Sequence, residues 1–395
     1  MQTRGPGVFI EDIRASAPPI EGVASSMTAF VGATPSGPVA APVLVRSFME
    51  FEAQFGGLSA DMPLGYAVQH YLLNGGRDAL IARVVPTGPA LTDADISSPA
   101  LEPQQRGLWL LDHAERFDIL CIPPLSRTSD VGRATWDAAT AYAVRRRAMV
   151  IVDPPATWTS AQDVSESAIV ARVSRNASAA LYFPRIRAPD PLDGDQLANF
   201  APCGAIAGIY ARIDAARGVW QAPAGAEASV LGAQGLSAVL TGTDLSALNE
   251  ASVNALRTLP GGAIALWGAR TLADAPEPEL RYVPVRRLAM FIEASVARWL
   301  QLAVFEPNGE PLWAKVRERI TNFLHGLFLQ RAFQGRVPNE AYFVRCDAST
   351  MTQQDIDEGR LVAIVGFAPL KPAEFVIITI RQIVGGTSTD RPPPP

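Results

Sequence analysis

The sequence predicts an α/β fold, α+β over its whole length, and three observations predict it. Between about residues 106 and 270, short apolar strands alternate with amphipathic helical stretches, the rhythm of a layered sheet with at least partly parallel strands. At residues 273–279 a segment rich in proline and acid breaks that rhythm and reads as a hinge. Beyond it, two long apolar repeats at helical spacing are followed by strand-like segments. With 395 residues, 48% hydrophobic and 18% charged, the chain can bury a large core, and two globular units are expected rather than one.

Val8-Phe-Ile-Glu-Asp-Ile has strand composition and runs into Ala17-Pro-Pro, after which Ser26-Met-Thr-Ala-Phe-Val-Gly begins a second strand. Val43-Leu-Val leads to Ser47, which with Glu50 has capping-box spacing and opens a helix that should stop at Gly56-Gly57. The next helix is expected over 63–74, with Pro63 in its first turn and Gly75-Gly76 at its end, leading into Ala79-Leu-Ile-Ala-Arg-Val-Val as a strand. The alternating region predicts strands over 117–122, 148–152 and 179–183 and helices over 132–147 and 160–174, with joints at 184–195 and 222–226. Past the hinge, Leu288, Phe291, Ile292, Val296, Trp299, Leu300 and Val304 mark one amphipathic helix. Leu312, Val316, Ile320, Phe323 and Leu327 mark a second, which starts after Pro307-Asn-Gly with Pro311 in its first turn. A strand over 341–346, a short acidic helix capped by Thr352 and ended by Gly359, and two more strands complete the fold. The polar tail, 385–395, ends in four prolines and is expected to be disordered.

Composition excludes several functions. A net charge of -5 with no concentrated basic face argues against nucleic acid as a partner. The one basic triplet, at Arg145, Arg146 and Arg147, closes a helical stretch, where cations suit the helix C-terminus. No apolar run reaches the roughly 20 residues of a membrane helix, so no direct membrane insertion is expected. The start does not lead into a secretory apolar core, which makes assembly in the cytoplasm the simplest expectation. Cys121, Cys203 and Cys346 are odd in number and far apart, so they read as buried thiols, and neither a metal site nor a disulfide framework is expected.

Enzyme signatures are missing as well. His70, His113 and His325 stand near no G-x-S-x-G elbow and in no H-E-x-x-H pattern. Neither lysine, at positions 315 and 371, follows a glycine, so no phosphate-cradling Gly-Lys-Ser/Thr loop exists and no cofactor is expected. The paired glycines at 56, 75, 261 and 385 read as caps and turns. Asp355-Ile-Asp-Glu lacks the length and spacing of a calcium loop and reads as an acidic helix turn. Asp112, His113 and Glu115 flank a predicted strand, where an α/β enzyme could carry catalytic groups, but a solvated helix end explains them better. His325 should lie on the polar side of its helix.

Both ends of the chain carry strongly β-forming segments. Phe375, Val376, Ile377, Ile378, Thr379 and Ile380 form six residues without a charge, whereas natural edge strands are usually protected by charge, proline or shortness. Such a strand is either central in its own domain or pairs with a neighbouring chain by strand addition, and the same alternatives hold for Val8, Phe9, Ile10, Glu11 and the residues that follow.

A set of ordered motifs resembles the phage tail sheath family. These are Pro6-Gly-Val-Phe-Ile-Glu, Pro19-Ile-Glu-Gly-Val, Thr28-Ala-Phe-Val-Gly, Ala205-Ile-Ala-Gly-Ile-Tyr-Ala-Arg, Arg217-Gly-Val-Trp-Gln-Ala-Pro, Trp267-Gly-Ala-Arg-Thr-Leu, Tyr282-Val-Pro-Val-Arg-Arg-Leu, Val304-Phe-Glu-Pro-Asn, Phe343-Val-Arg-Cys-Asp, Met351-Thr-Gln-Gln-Asp-Ile-Asp-Glu-Gly and Lys371-Pro-Ala-Glu-Phe-Val-Ile. They lie in the family's order and span nearly the whole chain, and their combination is specific where no single one is.

The resemblance implies a structural subunit that polymerises as helically stacked six-fold rings around an inner tube and contracts to drive it. Its partners would be further copies of itself, the inner tube protein, and baseplate and terminal cap proteins. It implies an inner α+β domain formed by both termini, with an inserted outer α/β domain. Residues 1–25 then form a terminal strand and linker, 26–272 the outer domain, and 273–384 the inner C-terminal domain. The segments at Val8 to Glu11 and Phe375 to Ile380 would be exchanged between subunits. Tube contact would come either from Arg317 and Arg319 or from Asp355, Asp357 and Glu358, and the sequence does not choose. Compactness favours the sheath of an extracellular or cytoplasmic contractile injection system over a true phage tail, and one chain carrying both strand motifs weighs against a two-chain secretion sheath. An α/β enzyme or nucleotide binder, and a non-contracting structural tube, are the alternative readings.

Overall fold

The computed structural model describes residues 18–273, 278–301 and 306–370, and the backbone of 376–383. Its larger layer is an eight-stranded sheet of β1 (Thr28–Gly32), β2 (Val43–Val45), β3 (Ala79–Arg83), β4 (Ile119–Cys121), β5 (Met149–Val152), β6 (Ala179–Phe183), β10 (Val253–Thr258) and β11 (Ile264–Leu266). The order is β11-β10-β6-β5-β4-β1-β3-β2. The six inner strands run parallel, and antiparallel β2 and β11 take the two edges. Parallel strands are covered on both faces, so their apolar residues run without a polar alternation. Successive side chains still divide between two cores. Ala29, Val31, Val150, Val152, Leu181 and Phe183 enter one, and Phe30, Met149, Ile151, Ala180 and Tyr182 enter the other.

The first core is roofed by α3 (Asp93–Ser97), a 3-10 turn at Gly107–His113, α4 (Arg133–Arg146), α5 (Glu166–Arg172) and α7 (Gly242–Glu250). The second is roofed by α1 (Phe48–Phe55), α2 (Leu64–Leu73) and α6 (Cys203–Arg217). Helix α1 starts where the Ser47 hydroxyl accepts from the Glu50 amide and stops at Gly56, whose φ of 85° is left-handed. Helices α2 and α6 cross closely because Gly204 and Gly208 face α2. A β-carbon on Gly204 would stand 2.0 Å from the Ala67 carbonyl oxygen, and one on Gly208 2.4 Å from that of Tyr71.

Two expectations need correction. The helix expected over 160–174 is a 3-10 turn at Ala161–Asp163 followed by α5, with Val173 already extended. Ser160 caps the turn and Ser165 caps the helix anew, so two start signals five residues apart divide the stretch. The joint expected over 184–195 is the first half of a hairpin, β7 (Ile186–Asp190) and β8 (Gln196–Phe200), which with β9 (Gly235–Leu236) forms a three-stranded sheet. Ile186 and Ala188 point inward with Arg187 outward, a period-two signal hidden by Pro189, Pro191 and Gly194.

A third core lies between α8 (Val283–Leu300), α9 (Glu310–Leu329), α10 (Pro338–Ala341), α11 (Gln353–Asp357) and an antiparallel sheet in the order β12 (Tyr342–Arg345), β13 (Arg360–Phe367), β14 (Val376–Ile383). The apolar stripes of α8 and α9 pack here as their spacing requires, except that Phe291 and Phe323 are half-buried while Trp313 and Leu324 fill the centre of α9's face. Val304 lies outside the described residues. Residues 18–25 run along α8. Trp299 donates through Nε1 to the Pro18 carbonyl at 2.7 Å, and the Val23 amide donates to Ser295 Oγ at 3.1 Å.

Candidate functional site

The candidate assembly site is the β12-β13-β14 sheet. β13 is central, and β14 pairs with it in an eight-residue antiparallel register running from Arg360↔Ile383 to Phe367↔Val376. Val376, Ile377, Ile378, Thr379 and Ile380 are thus paired within their own chain, and among the described residues β14 forms one edge of the sheet. Phe375, Val8, Phe9, Ile10 and Glu11 lie outside the described residues. A strand joined to its sheet by a short connection can occupy the same register in a neighbouring copy without losing a hydrogen bond, the geometry that strand swapping requires.

The charged residues singled out for tube contact fall on two elements. Arg317, on α9, donates to the Cys346 carbonyl at 2.7 Å and lies 3.6 Å from Glu310. Arg319, on the same helix, is half-buried. Asp355 caps α11 with Thr352, and it is held below the usual carboxylate range chiefly by the Thr352 hydroxyl. Arg360 lies 3.0 Å from Asp355 and 2.8 Å from Glu358, so α11 carries its own counter-charge. Asp357 is exposed and accepts from Gln353 Nε2 at 2.8 Å. His325 is exposed as expected, with Nδ1 3.1 Å from the Tyr342 hydroxyl.

Sequence reasoning missed the joint between the third core and the large sheet. Arg287 of α8 reaches both carboxylate oxygens of Asp214 on α6, at 2.9 and 2.7 Å, and donates to the Ser25 carbonyl at 2.7 Å. Ser25 Oγ donates to Asp214 at 2.7 Å, and the guanidinium lies 4.7 Å from the centre of the Tyr210 ring. Both charged side chains are almost wholly buried, at 3% and 5% exposure. Around this pair, Arg147 after α4 meets Glu293 of α8 at 3.3 Å. The only sequence signal was an arginine on the apolar side of a helix, which pairing alone makes tolerable.

Open α/β sheets hold ligands at a topological switch point beyond the carboxyl ends of their strands, and here the ends of β1 and β5 are filled by the chain itself. β1 is the switch strand, flanked by β3 and β4, and Leu64 packs on its last residue, Gly32. Beyond β5, Asp153 is buried. It accepts the Cys203 amide at 2.9 Å through Oδ1, and Oδ2 has no hydrogen-bond partner among the described residues. Burial, opposed by the Cys203 bonds and by Arg185, pushes its carboxyl up to about 6. Asp112 accepts from the Tyr142 hydroxyl at 2.7 Å and lies 3.3 Å from Arg146, a packing role, while His113 lines a surface groove. His70 is buried, which holds its imidazole down to about 4. The three cysteines are free and buried. Among the described residues no cluster of His, Cys, Asp and Glu could hold a metal ion, and no helix is long and apolar enough to cross a membrane.

Comparison with known proteins places this architecture. Residues 111–272 match the model of the phage tail sheath protein central domain. The sheath chain of an extracellular contractile injection system, the PVC sheath complex in its contracted state, is 26% identical and superposes with a TM-score of 0.73, covering 98% of this chain and 99% of that one. The contracted helical sheath of the anti-feeding prophage is 28% identical with a TM-score of 0.71, covering 98% of this chain and 100% of that one. A sheath tail protein from Desulfitobacterium hafniense, 10% identical over 95% of this chain and 100% of that one, shares the fold with a TM-score of 0.64. No curated protein matches by sequence.

Proposed function

We propose, from the premise that this chain is a sheath-family subunit of a contractile injection system, that it polymerises as helically stacked hexameric rings around an inner tube and contracts to drive that tube through a target envelope. The observation that supports this most is the match over nearly the full length of both chains to sheath subunits of contracted assemblies. Self-assembly and association with a baseplate follow from the same likeness. The finer reading adds contact with an inner tube protein and a terminal cap, and assembly in the cytoplasm before the particle acts.

In this reading, residues 26–272 form the outer unit and 273–384 the inner one, with 1–25 crossing to the inner side. Contraction is a repacking of nearly rigid copies, and it needs no hydrolysis by the sheath. The β14 strand and the segment around residues 8–13 stay paired with neighbours as the copies turn, linking the rings. Stored energy resides in the difference between two packings.

Negative-stain electron microscopy of the purified chain, alone and with its candidate tube protein, tests the reading. Hollow helical tubes, wider and shorter when contracted, are the expected result. A uniform small particle at every concentration would overturn it.

A further inference from the structure

One prominent projection and one prominent hollow of the large layer are used by nothing described above. The projection is the tip of the β7–β8 hairpin. Its stalk is fixed: Asp190 pairs with Arg127 and accepts from the Tyr66 hydroxyl at 2.7 Å, and Phe200 packs against the rings of Tyr66 and His70. The tip is apolar and acidic. Leu192 is 53% exposed and Leu197 42%, and the exposed carboxylates of Asp193 and Asp195 lie between them in the chain.

The hollow is a groove of about 610 Å³ between the carboxyl end of β3 and residues 94–113. Val39 and Val85, on its rim, are 48% and 42% exposed. Its charged groups are Arg83, Arg106 and Asp95, and His113 lines it beside them. Arg83 donates to the carbonyls of Thr34 and Gly37, which leave its charge uncompensated. Among the described residues no carboxylate pairs with Arg106, and Asp95, whose carboxylate accepts from Thr87 and Thr92, offsets one of the two guanidinium charges. The groove is therefore cationic with an apolar rim, complementary to the hairpin tip.

Position supplies the direction. The hairpin stands on the core roofed by α2 and α6, and the groove walls belong to the opposite core, so the two lie on opposite faces of one sheet. A single copy cannot bring them together, whereas successive copies can. We infer that the β7–β8 hairpin of one copy docks in the β3-side groove of the next, with Leu192 against Val85 and the tip carboxylates facing Arg106. This is a head-to-tail contact, which generates an open helix rather than a closed pair. The inference rests on the proposed self-assembly and gives it a specific interface.

Cysteine cross-linking in the assembled full chain tests it, since the native cysteines are buried. A chain carrying both Val85→Cys and Leu192→Cys should give, on mild oxidation of tubes, a ladder of dimers, trimers and larger species, and either substitution alone should give none. The charge-reversed chain Asp193→Arg/Asp195→Arg should lose tubes at least tenfold, and adding Arg106→Asp should restore them. Tubes that form without a double-cysteine ladder would overturn the docking and leave the sheath reading intact. So would cross-linked dimers from Leu192→Cys alone, which mean that hairpins meet hairpins, or a groove thiol that stays reactive in tubes, which means that nothing fills the groove. Wild-type chain that never forms tubes overturns both.

Discussion

At the scale of single residues, two buried charges have opposite consequences. Arg287 and Asp214 satisfy one another bidentately, with Ser25 and Tyr210 completing the arginine's surroundings. Arg287→Met would leave Asp214 buried without a counter-ion, and such losses cost about 3–5 kcal/mol. Urea unfolding should show that loss, with the third core separating into an earlier transition. A change under about 1 kcal/mol would remove this pair from the joint. Asp153 is the reverse case, because its folded carboxyl sits near 6 against an ordinary value of 3.8. The folded state therefore holds the proton more tightly than the unfolded chain. The resulting stability is complete below 3.8, fades as pH rises and is gone above about 6, where the buried charge costs up to about 3 kcal/mol. Asp153→Asn keeps an acceptor for the Cys203 amide and should raise the melting temperature at pH 7.5 while leaving it unchanged at pH 4. An equal effect at both values would show that the charge is not the cause.

At the scale of elements, close approach and strand pairing matter most. Gly204 and Gly208 let α6 press onto α2, and an alanine at Gly204 would have to displace the backbone carbonyl of Ala67. Gly204→Ala should therefore destabilise the chain by roughly 1–3 kcal/mol, as overpacking does, although alanine is the better helix former. Chemical denaturation measures it, and a stabilising change would contradict the crossing geometry. β14 makes its register with β13 on one polypeptide, so self-pairing and exchange use the same bonds. Ending the chain at residue 370 should leave the large sheet folded, by circular dichroism, while abolishing long tubes. Tubes of ordinary length from that chain would exclude β14 as the link. The caps at Ser47 and Thr352 and the periodicity of α8 and α9 were legible because they depend on residues three or four apart. The β7–β8 hairpin was not, because only Ile186 and Ala188 mark its inward face among prolines.

At the scale of the whole molecule, two apolar cores share the strands of one sheet, the Arg287–Asp214 pair joins the third core to that layer, and the two outward features of the layer lie on its opposite faces. The contraction proposed above has such bodies repack against copies of themselves rather than deform. Removing residues 1–15 should give short or single-ring assemblies in electron micrographs while the monomer melts as before. Long sheaths from the truncated chain would reject exchange of the N-terminal strand.

The sequence by itself determined the fold class, the parallel character of the sheet and the family likeness, because apolar periodicity and ordered motifs are properties of neighbouring residues. Only the tertiary structure decided that Arg287 finds Asp214, that Asp153 is left with one oxygen unpartnered among the described residues, and that a hairpin tip and a cationic groove stand on opposite faces. Those relations join residues from tens to hundreds of positions apart. No local spacing encodes them, and they exist only once packing has brought the segments together.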